Sequence, residues 1–262
     1  MSAPETPALL DPLAAFRLDG QVAIVTGASS GLGRHFARVL HAVGASVVVS
    51  ARRQDRLDAL VAELPGAVAV VSDVAEPGDR ERLVGGTLER FGRIDVLVNN
   101  AGIGHTISIE DEDLETFRRA MEVNVTAYWH LAKLVGEWMV PNRTGSVVNV
   151  ASILGLVASA PIKQAHYSAS KGAVINLTRE LAVQWGRRNV RVNALCPGWF
   201  PSEMTEGMDT DPASVRFMTA NCPMARFGTL PELDGALLLL ATPAGSYITG
   251  STLVVDGGWV AR

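Results

Sequence analysis

Short runs of valine, isoleucine and alanine alternate with segments of helical spacing along nearly the whole chain, and this alternation restricts the fold more than any other feature. "VAIVTG" at 22–27 reads as a strand and turn. Residues 31–43 carry helical spacing, with Gly44 as a stop. Further strand-like runs are "SVVVS" at 46–50, "AVAVVSD" at 67–73, "IDVLVNNAG" at 94–102 and "GSVVNVAS" at 145–152. "VRVNALCPG" at 190–198 and "STLVVDGG" at 251–258 complete the set. Helices are expected over 111–139, from about His166 to Trp185, and over 231–241.

Runs this rich in branched side chains suit strands buried on both faces. Repeated strand–helix units imply right-handed crossovers and parallel pairing. The expected fold class is therefore α/β, a single doubly wound Rossmann-like domain with a mostly parallel sheet. A length of 262 residues suits one such domain, and neither a linker nor an internal repeat divides it. Residues 1–15, "MSAPETPALLDPLAA", read as an N-terminal extension, with the domain over 16–262.

The formal net charge is −4 and no basic block occurs, so no nucleic-acid partner is expected. The N-terminus lacks a signal-peptide pattern, and no apolar run is long enough to suggest a membrane span. The two cysteines, Cys196 and Cys222, form neither a disulfide framework nor a zinc spacing. A cytoplasmic setting is the expectation, and no metal site is expected.

"TGASSGLG" at 26–33 lies between the first strand and the first helix. Gly27, Gly31 and Gly33 let the backbone turn and approach a ligand, with Ser29, Ser30 and Leu32 between them. A helix start behind such a loop suits a pyrophosphate, although the spacing differs from GxGxxG and a plain strand-to-helix turn would look similar. Binders of NAD usually end the second strand on an acid. Here Ala51 is followed by Arg52 and Arg53, which favours NADP(H), since guanidinium groups clamp phosphates. The plainer reading is a solvated helix start. Asp73 and Val74 after the third strand suit the flanks of an adenine. Asn100, Ala101 and Gly102 after the fourth lie where such sheets open their ligand crevice. Turn chemistry alone would also explain these residues.

"HYSASKG" at 166–172 places Tyr167 and Lys171 four apart, on one face of a helix. Together with "TGASSGLG", "DV", "NNAG", Asn124 in "MEVNVTAY", Ser152 in "NVAS" and "PGWFPSEMT", this stretch resembles the short-chain dehydrogenase/reductase family over Leu18 to Trp259. Within the family the chain looks most like the bacterial oxoacyl-carrier-protein reductases and the gluconate or glucose dehydrogenases. The resemblance implies a reversible, NADP(H)-dependent reduction of a ketone or aldehyde. Tyr167 would be the acid or base, Lys171 would favour its phenolate and contact the nicotinamide ribose, and Ser152 would hold the substrate oxygen. Asn124 would keep a water near the lysine; alternatively it is a helix-interior amide bonded to a backbone carbonyl.

By the same resemblance, Pro197, Gly198 and Phe200 abut the nicotinamide, and 201–222 forms a substrate lid. Met204, Met208, Phe217 and Met218 belong to that stretch and would line either the pocket or the core. Ser152 and Tyr167 stand farther apart than is usual in the family, and the extra length in "VASAPIKQA" is expected to shape the pocket wall. His105 would face substrate, while His35, His41 and His130 belong on helix surfaces or against neighbouring elements. The family is commonly tetrameric, so a homotetramer acting on a small carbonyl or alcohol is expected. A sugar or polyol dehydrogenase is the alternative, and a non-catalytic dinucleotide sensor or scaffold is the alternative of a different class.

Overall fold

The alternation of strand and helix resolves into seven parallel strands in the order β3-β2-β1-β4-β5-β6-β7. They are β1 (Val22–Thr26), β2 (Ser46–Ala51), β3 (Val68–Val71), β4 (Val96–Asn99), β5 (Gly145–Val150), β6 (Val190–Pro197) and β7 (Thr252–Val255). The structure, a computed structural model, describes residues 11–159, 162–208 and 210–261. Most of the expected extension, residues 1–10, lies outside the described residues.

Each strand sends alternate side chains to opposite faces. Ala23 and Val25 of β1 meet Phe36, Ala37 and Leu40 of α1 (Gly31–Ala42), in one apolar layer with Leu57 and Leu60 of α2 (Gln54–Glu63). Val22 and Ile24 face the other way, towards Leu83 of α3 (Pro77–Phe91) and Leu131, Val135 and Met139 of α5 (Ala127–Asn142). Both faces are thus covered, which is why the strands read as nearly unbroken apolar runs. The sheet is wholly parallel, beyond the mostly parallel pattern expected.

Two helices had no clear signal. α2 buries only Leu57 and Leu60 fully against the sheet. α3 contains Gly85 and Gly86 and buries a charged residue, Arg80, whose guanidinium donates to the Val74 carbonyl and to Glu122. The helix expected over 111–139 is instead three pieces. α4 (Leu114–Met121) passes through a π-helical turn at Glu122–Thr126 into α5. A π turn adds a residue within a continuous helix and leaves no compositional trace. This one carries Asn124, fully buried. The remaining helices are α6 (Ala165–Trp185), α7 (Pro212–Asn221) within the expected lid, and α8 (Asp234–Ala241).

Candidate active site

Strand order reverses between β1 and β4, and ligand crevices of doubly wound sheets open beyond the strand ends at such a point. Both glycine-bearing turns meet there. The Thr26 hydroxyl accepts from the backbone N–H groups of Asn100 and Ala101 at 3.0 and 3.1 Å. The Asn100 side chain donates back to the Thr26 carbonyl at 2.9 Å. A Cβ at Gly33 would stand 2.4 Å from both the Gly27 carbonyl and the Asn100 amide, so helix, loop and second turn interlock only around glycine. Gly33→Ala is expected to destabilise the fold by ~1–3 kcal/mol, read as an earlier thermal transition, because the clashing atoms include backbone. Unchanged melting and dinucleotide binding would show that the junction has room.

Behind the loop, α1 begins without a side-chain cap on its free N–H groups. The Ser30 hydroxyl donates to Glu203 instead. This uncapped helix start and the glycine junction fit a pyrophosphate. At the end of β2, Arg52 is exposed and makes no hydrogen bond or ion pair among the described residues. Arg53, whose direction the sequence left open, turns inward and donates to Ser29 at 2.9 Å and Ser30 at 3.1 Å. Asp73 accepts from the Ala75 backbone and from Arg119, so turn chemistry and a place on the cleft coincide.

A cavity of about 400 Å³ joins these parts to the helix-borne pair. Every expected catalytic or cofactor residue lines it except Gly33 and Asn124, which stand behind its wall. α6 carries Tyr167 and Lys171 on one buried face. Ser152 follows β5, its hydroxyl accepts from the Leu154 N–H at 3.1 Å, and it lines the cavity together with Tyr167. Lys171 Nζ lies 5.5 Å from the Tyr167 ring centre and donates to the Val150 carbonyl at 2.8 Å.

Electrostatics differ here from the expected effect of the lysine. Burial pushes the Tyr167 phenol up to about 12, with the neighbouring Ser152 hydroxyl opposing. Burial pulls the Lys171 ammonium down to about 8, with the neighbouring Cys196 thiol opposing. Burial is the leading cause of both shifts, and the phenol is held neutral. Asn124 is fully engaged: its oxygen accepts from the Ile103 N–H, and its nitrogen donates to the Ile103 carbonyl and the Ser170 hydroxyl. This is the backbone-bonding alternative, and it ties the loop after β4 to α6.

A second cavity of about 150 Å³ opens beside Ser152 and Tyr167. Met204 and Met208 line it, whereas Met218 is buried in the core and Phe217 packs on Trp259, so the lid's apolar residues divide between pocket and packing. Ile162 and Gln164, within the long Ser152–Tyr167 connection, form part of its wall. His105 lines it too, stacked on His166 with ring centres 4.5 Å apart. His166 is hydrogen-bonded to a buried Glu112. Glu112 had no local signal, because it meets His166 from a distant segment, and nothing local placed Glu203 of the expected lid beside the second-strand arginines.

No cluster of metal-binding side chains and no helix able to cross a membrane occurs among the described residues. A doubly wound sheet with a glycine-rich turn and a buried Ser/Tyr/Lys group at its switch point defines a dinucleotide-binding oxidoreductase. Residues 27–260 match the family model described as enoyl-(acyl carrier protein) reductase. The chain belongs to the short-chain dehydrogenase/reductase family. It is 39% identical to galactitol 2-dehydrogenase (L-tagatose-forming) of Cereibacter sphaeroides, over 95% of this chain and 99% of that protein. It is also 39% identical to a 3-oxoacyl-[acyl-carrier-protein] reductase of Synechocystis sp., over 93% and 98% of the two chains. A gluconate 5-dehydrogenase from Burkholderia cenocepacia, solved in complex with NADP and tartrate, superposes with a TM-score of 0.90 at 32% identity, covering 96% of this chain and all of that one.

Proposed function

We propose that this oxidoreductase interconverts a ketone or aldehyde with the corresponding alcohol, using NADP(H). The observation that carries the reading is that Ser152 and Tyr167, both buried, line the dinucleotide cavity and the smaller one together, with Lys171 behind Tyr167. The cofactor supplies the hydride in reduction and accepts it in oxidation. Ser152 holds the substrate oxygen. Tyr167, neutral in its buried setting, donates its proton to that oxygen as negative charge develops, and recovers it in the reverse direction. Lys171 places a positive charge behind the phenol and a donor towards the cofactor. Asn124 keeps α6 and the loop after β4 in register. Residues 201–222 act as the substrate lid, with residue 209 outside the described residues.

A sugar or polyol is the second reading. The smaller cavity, about 150 Å³, presents His105, Thr106 and Gln164 beside its apolar residues, which suits a short hydroxylated chain. The galactitol and gluconate dehydrogenase relatives support it. A panel of short ketones, aldehydes, sugar acids and polyols, each assayed with both cofactors, tests these readings. Dinucleotide binding without turnover across the panel would favour a sensor.

For the cofactor, wild-type protein should favour NADPH over NADH in kcat/KM by about tenfold to a hundredfold, the worth of a charge-assisted phosphate contact. Ala51→Asp with Arg52→Ile should reverse the order, since the new acid repels the phosphate and accepts the ribose hydroxyls. A native preference for NADH at matched salt would refute the assignment.

A homotetramer belongs to the same proposal. Exposed Trp129 on α5, Val183 on α6 and Tyr247 before β7 offer apolar surface for assembly. A cytoplasmic setting is supported by Cys196 and Cys222, both buried free thiols.

A further inference from the structure

Glu203 belongs to the lid segment, yet its carboxylate sits in the donor nest at the adenosine end of the cleft. Arg53 donates to its two oxygens at 2.9 and 2.8 Å. The Ser30 hydroxyl donates at 2.9 Å, and Arg56 completes the set from the next turn of α2. One hydroxyl and two guanidinium groups thus converge on one anion, and the Ser29 hydroxyl holds Arg53 in place by accepting from it at 2.9 Å. That is the donor chemistry a phosphate monoester dianion takes. Burial does not seal the carboxylate in: the Glu203 side chain is 47% exposed and those of Arg53 and Arg56 are 40% and 46% exposed. Solvent screens such pairs, so a more highly charged competitor can displace the carboxylate.

The segment that Glu203 anchors is a small folded unit. The Ser202 N–H donates to the Thr205 hydroxyl, which donates to the Phe200 carbonyl at 2.7 Å. Met204 and Thr205 in this unit line both cavities, so its position sets the wall between cofactor and substrate.

We propose that Glu203 is an internal competitor for the adenosine 2′-phosphate, latching the lid until a phosphorylated dinucleotide takes its place. The inference rests on the NADP(H) reading above. Binding of the phosphate frees Ser202–Thr205 to rearrange around substrate. A dinucleotide without that phosphate leaves the carboxylate in the nest and the segment latched. Glu203 thereby makes lid release depend on which cofactor is bound, although it takes no part in proton or hydride transfer.

The test uses the whole protein with two fragments, 2′,5′-ADP and 5′-AMP, which differ only in the 2′-phosphate. Calorimetry is run on wild type, Glu203→Gln and Glu203→Ala, with hydrogen exchange followed over residues 202–205. Each variant should bind 2′,5′-ADP about three- to tenfold more tightly, in keeping with loss of several exposed ion-pair contacts, and 5′-AMP as wild type does. In wild type, 2′,5′-ADP should accelerate exchange over 202–205 and 5′-AMP should not. The ligand-free variants should already exchange at the faster rate. If 2′,5′-ADP binds wild type well but neither variant alters its affinity or the exchange, the latch is wrong and the cofactor reading stands. If 2′,5′-ADP binds no better than 5′-AMP to any of the three proteins, the cofactor reading fails and the latch with it. Weaker 5′-AMP binding in the variants would also overturn the latch, since the carboxylate would then be a ribose ligand.

Discussion

Tyr167→Phe is expected to lower kcat by about 10²–10⁴-fold while leaving dinucleotide affinity nearly unchanged. The ring keeps its place in the apolar cluster with Ile153, Leu154, Met218 and Trp259, so the fold should persist. What disappears is the hydroxyl and its transferable proton. The two reaction directions should differ with pH. Reduction needs the neutral phenol, which burial maintains with a pKa pushed up to about 12. Oxidation needs a base, so its rate should climb as pH rises through the neutral and alkaline range, because the phenolate fraction grows while the pKa lies above the pH. Steady-state assays in both directions across pH test this. Near-wild-type turnover in the variant would remove Tyr167 from the chemistry.

Lys171→Met is expected to damage turnover and cofactor binding together. Turnover should fall by about 10²-fold or more, since the charge behind the phenol is lost. Dinucleotide affinity should fall about tenfold to a hundredfold, the worth of a hydrogen bond from a charged donor. Stability should survive. Lys171 is 3% exposed and burial already pulls its pKa down to about 8, so methionine relieves a desolvated charge. The Val150 carbonyl keeps a partner as well, because Tyr128 also donates to it at 3.2 Å. Separate measurement of kcat, dinucleotide affinity and thermal stability distinguishes these effects. Full turnover and full affinity would place Lys171 outside the site.

The glycine-rich turn and the Tyr167–Lys171 pair were legible in sequence because their spacing is local. A glycine-rich turn between a strand and a helix, or a tyrosine and lysine four apart, states its geometry within a few residues. The second-strand arginines were only half legible. Composition announced positive charge, but only packing showed that Arg53 turns inward while Arg52 stays exposed. Asn124 shows the same division: the resemblance of "MEVNVTAY" to the family pointed to the site, whereas its bonds to Ile103 and Ser170 depend on a π turn that no periodicity betrays.

By itself, then, the sequence determined the parallel α/β sheet, the turns at its carboxyl edge and the helix face bearing Tyr167 and Lys171. These follow from burial periodicity and turn chemistry, which act over a few neighbouring residues. The tertiary structure alone decided that Glu203 meets Arg53 across 150 positions and that Glu112 meets His166 across 54. It also decided that burial keeps the Tyr167 phenol neutral despite the nearby lysine. Contacts between distant segments and the desolvation of a charge are set by what the completed fold packs around each group, and that information is not carried by the residues beside it in the chain.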